Sequence, residues 1–441
     1  METYFRQDGL SSRDAFRHNQ AKKAQLDRAW TFLICFLSLL TLTLTQEQGT
    51  VAAAAFVFFS CTLALRRPKQ AFFSVVENAP LFLIPALALI STAWSQYPEA
   101  TFYGSLQFIV TTAIAVWLGT LVPRRTFIAS LMLALTVINI IGLIIDGGAS
   151  FRDDTPLIGE FGSKNQLAYH ALMQLMAAII VIWDRRQALI MRLVSVVSVL
   201  LAIVCLIQAQ STGAIVFGTP TILLCLFLPF VSRFSAMTRA IGVIALLATA
   251  AVAIIAVMGF VDDFGAVLDA VGKDSTLTGR SYLWQRAHEF INQAPLLGVG
   301  YEAFWRVGNP PAEDLWAASL VESGAGFNFH NIYLHIGVDL GYIGMGLVIL
   351  TMAWLALRLC KAIIICPNLP VVFATATFAS IFTTSFIEAT FLGQFMIQQI
   401  LLGVIWVYSD TSGLRIAEPR IPQSATSSRM KHPAQNPRPS A

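Results

Sequence analysis

The stretch TFIASLMLALTVINIIGLII, residues 126–145, carries no charged side chain. As an α-helix it is about 30 Å long, the thickness of a bilayer's hydrocarbon core. Pro123-Arg124-Arg125 precede it and Asp146 follows, so charge brackets the run at both ends. In hydrocarbon every backbone N–H and C=O must be satisfied within the segment, which predicts a membrane-spanning helix here.

Outward from this run the pattern repeats along the chain. Apolar segments of similar kind fall at 30–46, 49–65, 71–94, 102–121, 126–145, 166–183, 193–209, 213–231, 240–260, 330–350, 370–388 and 391–408. Of the 441 residues 56% are hydrophobic and 12% charged, against roughly 25% charged in soluble domains. The expected fold class is all-α, a polytopic membrane protein of about 12 transmembrane helices with one long periplasmic loop. The expected organisation is a cytoplasmic segment 1–29, spans one to nine within 30–260, the long loop 261–329, spans ten to twelve within 330–408, and a disordered cytoplasmic tail 409–441 rich in Pro, Ser and basic residues. The first 29 residues are polar, without the short apolar core of a signal peptide, so no removable leader is expected.

Cations fix the expected orientation, because Lys and Arg in short loops stay in the cytoplasm. With the N-terminus inside, 23 of the 29 Lys and Arg residues are cytoplasmic, and only Arg152, Lys164, Lys273, Arg280, Arg286 and Arg306 face outward. Both termini then lie inside. The net charge of +4 follows from this topology, and no basic, aromatic-laced face points to nucleic acid. The six cysteines lie in or beside the spans with no CxxC pair, which argues against a periplasmic disulfide framework or a metal cluster.

Three outer segments interrupt the spans. SQYPEATFYG (95–104) reads as a reentrant corner or an interfacial anchor for Trp94, Tyr97 and Tyr103. DGGASFRDDTPLIGEFGSKNQ (146–166) is the second, and the long loop is the third. Within the loop TGRSYLWQRAHEFINQAP (278–295) places Leu283, Trp284, Ala287, Phe290 and Ile291 on one helical face. That helix is expected to lie on the membrane surface, apolar face down, with Arg280 and Arg286 toward water or a ligand. The loop has nine acids and four bases, so its arginines are no generic anionic-lipid patch and each needs its own partner.

The loop closes with FNFHNIYLHIGVDLGYIG (327–344). His330 falls at the predicted membrane boundary and His335 about a turn deeper, some 140° around a helix at about 100° per residue, which suits no shared metal. Glu77 and Asp339 are intramembrane acids, read as lining a cavity or hydrogen-bonded between helices. Gly337 and Gly341 read as a close helix contact, and GVG (298–300) as structural.

The ordered series FGSKN before span six, QSTGA between spans seven and eight, TGRSYLW, PLLGVGYEAF and FHNIYLHIGVDLGYIG resembles the O-antigen ligase and polysaccharide polymerase superfamily, in particular its exopolysaccharide-polymerising branch. The resemblance covers nearly the whole chain and implies a GT-C-like membrane glycosyltransferase. Arg280 matches the loop arginine assigned to the lipid diphosphate, and His330 the histidine assigned to activating the acceptor, with Asn331 following it. Lys164 and Asn165 match the family's KN pair. Where ligases carry Ser-Arg-Gly, this chain has Ser211, Thr212 and Gly213, so the second diphosphate-binding arginine is missing there. Lys164, Arg152 or Arg286 are the candidates to replace it.

The implied donor is a polyprenyl-diphosphate-linked oligosaccharide, and membrane lipid is its medium. No cofactor and no metal are implied, since arginine forks can hold a leaving diphosphate. A chain-length regulator and export machinery are the implied partners. Two alternatives stay open: a ligase passing polymer to a lipid or protein acceptor, and a transporter of lipid-linked sugars.

Overall fold

The computed structural model describes residues 4–245, 275–324 and 326–411, and every regular element among them is a helix. The expectations for most of span nine, for residues 261–274 of the loop and for the C-terminal tail lie outside the described residues.

Helices α1 (Tyr4–Thr43) and α2 (Thr45–Arg66) form an antiparallel pair clasped by Ser38 and Ser60, whose hydroxyls lie 2.6 Å apart. The next span is broken: α3 (Pro68–Glu77) and the stretch Ala79–Ala93, which contains α4 (Leu83–Ile90), meet at 75° around Asn78. Pro68 and Pro80 each open a helical turn, where a missing N–H costs nothing. Then come α5 (Pro98–Leu121), α6 (Arg124–Asp153), α7 (Lys164–Trp183), α8 (Leu189–Gln208), α9 (Thr212–Val231) and α10 (Ala236–Ala245). Helix α7 is the centre of the bundle, with 83% of its most apolar window buried inside the protein. Lipid is as apolar as leucine, so polar ties supply part of the cohesion. Asn139 of α6 donates to Gln174 of α7 at 2.5 Å, and Gln174 donates onward to the Ser198 carbonyl of α8 at 3.0 Å, ties worth roughly 0.6–2 kcal/mol each.

Helices α11 (Ser275–Gln293) and α12 (Pro310–Ala318) precede α13 (Ile332–Ile365), α14 (Leu369–Thr384) and α15 (Ile397–Tyr408). The amphipathic helix of the sequence is α11, but its apolar face does not rest on lipid. Leu283, Ala287, Phe290 and Ile291 are buried in a second core with Phe304, Leu315, Trp316, Phe329 and Val338. Outside the bilayer such burial stabilises by roughly 1.5–3 kcal/mol per large side chain, so α11 is held to the protein.

Two of the motifs meet and explain each other. PLLGVGYEAF folds against a break in α13 at Gly341 (φ +65°), where Tyr342 N–H donates to the Pro295 carbonyl and Val299 N–H to the Val338 carbonyl. A Cβ at Gly341 would stand 2.3 Å from the Leu296 carbonyl carbon, and one at Gly298 (φ +65°) 2.4 Å from that of Asp339. Only glycine fits either position. SQYPEATFYG is the platform beneath: Trp94 donates to the Leu297 carbonyl and Thr101 to that of Tyr301. Trp94, just before this stretch, therefore pins the loop, where the sequence suggested a reentrant corner or an interfacial anchor. Asp339 is buried and accepts from Glu302 N–H at 2.9 Å, so its partner is loop backbone and not a second helix. Glu77 is exposed at the 75° bend, where it lines a half-open cavity, one of the two readings expected for it.

Each of the twelve predicted segments falls wholly or partly on a helix, but the described residues do not establish twelve spans. Eight helices are long and apolar enough to cross a membrane, and the bent pair makes nine. Helices α14 and α15 have 16 and 12 residues, because 385–396 between them is irregular. That segment's backbone finds partners in protein: Leu392 N–H donates to Gln399, its carbonyl accepts from Tyr301, and Phe395 N–H donates to Thr111. Irregular backbone at membrane depth is tolerated when buried in this way.

The two ends of the bundle differ. At one, Arg125 pairs with Asp184 at 2.8 Å, and Arg124 and Arg358 lie over the rings of Tyr408 and Trp406. The first residues of α7, α9 and α13 are at the other.

Candidate active site

At that second end, three separate parts of the sequence converge on Glu388. Its Oε1 accepts from Arg280 Nη2 at 2.8 Å and from Asn165 Nδ2 at 3.2 Å, and its Oε2 lies 2.9 Å from His330 Nδ1. The carboxylate is 8% exposed, Arg280 18% and His330 25%, so the cluster is protected yet open on the side of the cation and the imidazole.

Local structure fixes each member. Asn331 caps α13, accepting from Tyr333 and Leu334 N–H, and its side chain donates to the Phe386 carbonyl at 3.2 Å. Ile332 N–H donates to the Ser385 carbonyl at 3.0 Å. These bonds stitch the head of α13 to the end of α14, which sets Glu388 opposite His330. His330 itself has φ +48°, and its N–H donates to Asn328 at 2.7 Å. A non-glycine residue in this region stores roughly 1–3 kcal/mol of strain, a cost concentrated at functional positions. Trp284 of α11 donates to the Phe329 carbonyl at 2.9 Å, which joins the helix bearing Arg280 to the strand of chain bearing His330.

On the opposite side, Ser163 caps α7 and Ser211 caps α9. Ser211 donates to Asn165 Oδ1 at 2.9 Å, so the amide is oriented with its NH₂ toward Glu388. Lys164 stands beside Asn165 in the first turn of α7 and makes no ion pair among the described residues. Thr212 opens α9 next to Ser211, exposed.

The structure thus gathers Arg280, His330, Asn165 and Ser211, with Asn331 and Lys164 directly adjoining. Arg286 is apart from them: it pairs with Glu289 one turn away and lies 4.9 Å from the centre of the Phe290 ring. Arg152, 75% exposed, is tied to Asp153. Arg306 pairs with Glu302 at 3.4 Å. His335 is half-buried, its Nε2 4.0 Å from Asp339, and takes no part. Glu388 is the residue the sequence reading missed. Its signal was isolation: no Lys or Arg occurs between Lys361 and Arg415, so a carboxylate at a span's end had to find its cation elsewhere in the chain.

Chemically, His330 donating through Nδ1–H to a carboxylate leaves Nε2 as the proton acceptor. Arg280 meets Glu388 through Nη2, leaving Nη1 and Nε unengaged by that carboxylate. A base and a cation held a single carboxylate apart are the parts needed to deprotonate a hydroxyl beside a phosphate.

A multi-pass helical membrane protein with a partly buried Arg–Glu–His cluster at one end is the class so defined. Residues 196–349 match the O-antigen ligase family, a region that includes Ser211, Arg280 and His330. The chain is also 29% identical over 324 residues to the exopolysaccharide production protein ExoQ of Rhizobium meliloti (strain 1021), covering 72% of each chain. By these matches the chain resembles the O-antigen ligase and polysaccharide polymerase superfamily, including an exopolysaccharide production protein.

Proposed function

We propose that the protein polymerises polyprenyl-diphosphate-linked oligosaccharide repeat units into exopolysaccharide at the periplasmic face of the inner membrane. The observation that carries this reading is the bridge from Arg280 through Glu388 to His330. The similarity to an exopolysaccharide production protein favours polymerisation over ligation. The cation-rich opposite end favours an orientation with both termini cytoplasmic.

In the proposed reaction a hydroxyl of one repeat unit attacks the anomeric carbon of another from the face opposite its diphosphate, inverting that centre. His330 Nε2 takes the hydroxyl proton as the new C–O bond forms. The bond from sugar to diphosphate breaks, and the leaving diphosphate keeps the electron pair. Arg280 meets this developing charge, preorganised and partly shielded from water. Lys164 supplies the second cation, because it adjoins Asn165 and makes no ion pair among the described residues, whereas Arg286 and Arg152 are committed to neighbouring acids. Glu388 positions both working groups. No metal is required for this chemistry. A chain-length regulator and an export pore act beside the enzyme.

The test is the length of cell-associated and secreted polysaccharide in a strain lacking the protein, complemented with wild type, Arg280→Ala or His330→Ala at equal protein levels. Single lipid-linked repeat units accumulating on the outer face in the null and both variants are expected. Long polymer retained on its carrier would make the protein a ligase, and repeat units held on the cytoplasmic face a transporter. Full synthesis by Arg280→Ala would remove the proposed site.

A further inference from the structure

A half-open cavity of about 940 Å³ lies at the cation-rich end, among the ends of α5, α13 and α15 and the bend at Asn78. Its charged lining comprises Arg67, Arg124, Arg358 and Lys361 against Glu77 and Asp410. Positive charge at a cytoplasmic surface needs no ligand by itself. Two features distinguish this group.

First, two of its three guanidinium groups are placed by aromatic rings, the third, Arg67, being paired with Asp27. Arg124 lies 5.0 Å from the centre of the Tyr408 ring and Arg358 4.8 Å from that of Trp406, which holds the planar forks at the cavity wall. Second, Arg124 Nη1 is buried with no hydrogen-bond partner among the described residues. A buried charged donor left without an acceptor is unfavourable, so this position favours an incoming acceptor oxygen.

The cavity also has an apolar wall open to the outside, where Trp354 is 57% and Leu357 65% exposed on α13. Cations beside a lipid-facing apolar wall match an amphiphile with a phosphate and a hydrocarbon chain. The chain's own residues 412–441 carry five Lys and Arg against one acid, the wrong charge for this cavity. We infer that it binds the phosphate headgroup of an anionic membrane phospholipid, its chains lying along Trp354 and Leu357. A phosphate there joins the link between α5 and α6 to α13, at the end of the bundle away from Glu388. The inference stands independently of the reaction proposed above.

The test is a titration of the full-length protein with phosphatidylglycerol and with phosphatidylcholine, followed by native mass spectrometry. Wild type is expected to prefer phosphatidylglycerol. Arg124→Gln/Arg358→Gln should weaken that binding tenfold or more, about what losing a charge-assisted hydrogen bond implies, with phosphatidylcholine binding unchanged. Arg233→Gln, a cation outside the cavity lining, should change it less than twofold. If the double variant melts earlier than wild type in phosphatidylcholine, Arg124→Lys decides: it keeps the charge, loses the fork, and should bind phosphatidylglycerol several-fold more weakly. An equal loss in Arg233→Gln, or no preference between the lipids, overturns the site. Displacement of phosphatidylglycerol by millimolar inorganic phosphate, again sensitive to the double variant, overturns the lipid assignment in favour of a free phosphate.

Discussion

Glu388→Gln tests the site with the least change of shape. Two donors, Arg280 Nη2 and Asn165 Nδ2, converge on Oε1 while His330 Nδ1 faces Oε2. The glutamine oxygen must therefore take the place of Oε1, because its NH₂ would confront two donors there. That puts the NH₂ against His330 Nδ1. Nδ1 then accepts, the ring proton moves to Nε2, and the nitrogen that should take the acceptor's proton is blocked. The carboxylate's charge-assisted bond to the histidine, roughly 1.5–3 kcal/mol, is lost, while the two contacts at the oxygen survive. Loss of a positioned general base lowers turnover by about 10²–10⁴-fold. The assay is chain elongation by the purified protein on a lipid-linked repeat unit, with donor affinity measured separately. Turnover should fall by that factor while affinity changes much less, since Arg280 keeps an acceptor and Lys164 is untouched. Wild-type turnover in Glu388→Gln, or a loss explained wholly by donor affinity, would refute the tautomer argument. Glu388→Ala should behave differently: it strands a buried arginine, and breaking such a pair costs about 3–5 kcal/mol, so thermal stability should fall too.

Arg280→Lys keeps a charge but replaces a planar fork by a point, which has no second edge to present bidentately to a diphosphate while bonded to the carboxylate; elongation should drop by about tenfold or more, with thermal stability near wild type. Gly341→Ala should fail as a fold: its Cβ would meet backbone at 2.3 Å with φ at +65°, and the yield of monodisperse protein in size-exclusion chromatography should collapse. Alanine at Gly346, in the same helix with open space around it, should be tolerated.

Much of this architecture could be read from the chain, and the departures have physical causes. Apolar runs locate helices because hydrocarbon admits little else, but they do not fix helix ends. Span ten begins at Ile332 because Asn331 caps it, and α14 stops at Thr384 because 385–396 bonds to α5, α13 and Tyr301. Periodicity correctly placed an apolar face on α11. It could not say what covers that face, since Phe304, Trp316 and Phe329 come from elsewhere. Among the site residues, Asn165, Ser211, Arg280 and His330 were visible in motifs, whereas the carboxylate joining them sits at the end of an apolar run and is defined only by what it touches.

The second cation offers the sharpest test of that joining. Before donor binds, Arg280 and Glu388 offset each other, so a diphosphate entering the site needs positive charge beyond Arg280. Family ligases carry an arginine where this chain has Thr212, and Lys164 stands across the Ser211–Asn165 hydrogen bond from that position. The two positions therefore adjoin the two ends of one hydrogen bond in the wall of the site, and a cation on either should serve. Lys164→Gln should weaken donor binding by about tenfold, the order expected for one charge-assisted contact. Thr212→Arg in that background should restore much of it. The rescue is incomplete because a cation in the first turn of α9 opposes the helix dipole at about 0.3–1 kcal/mol. Donor affinity by titration in nanodiscs measures all three proteins. If the double variant binds no better than Lys164→Gln while Thr212→Arg alone folds and elongates normally, charge at this wall is not what holds the diphosphate, and the second cation must be sought among the arginines of the loop.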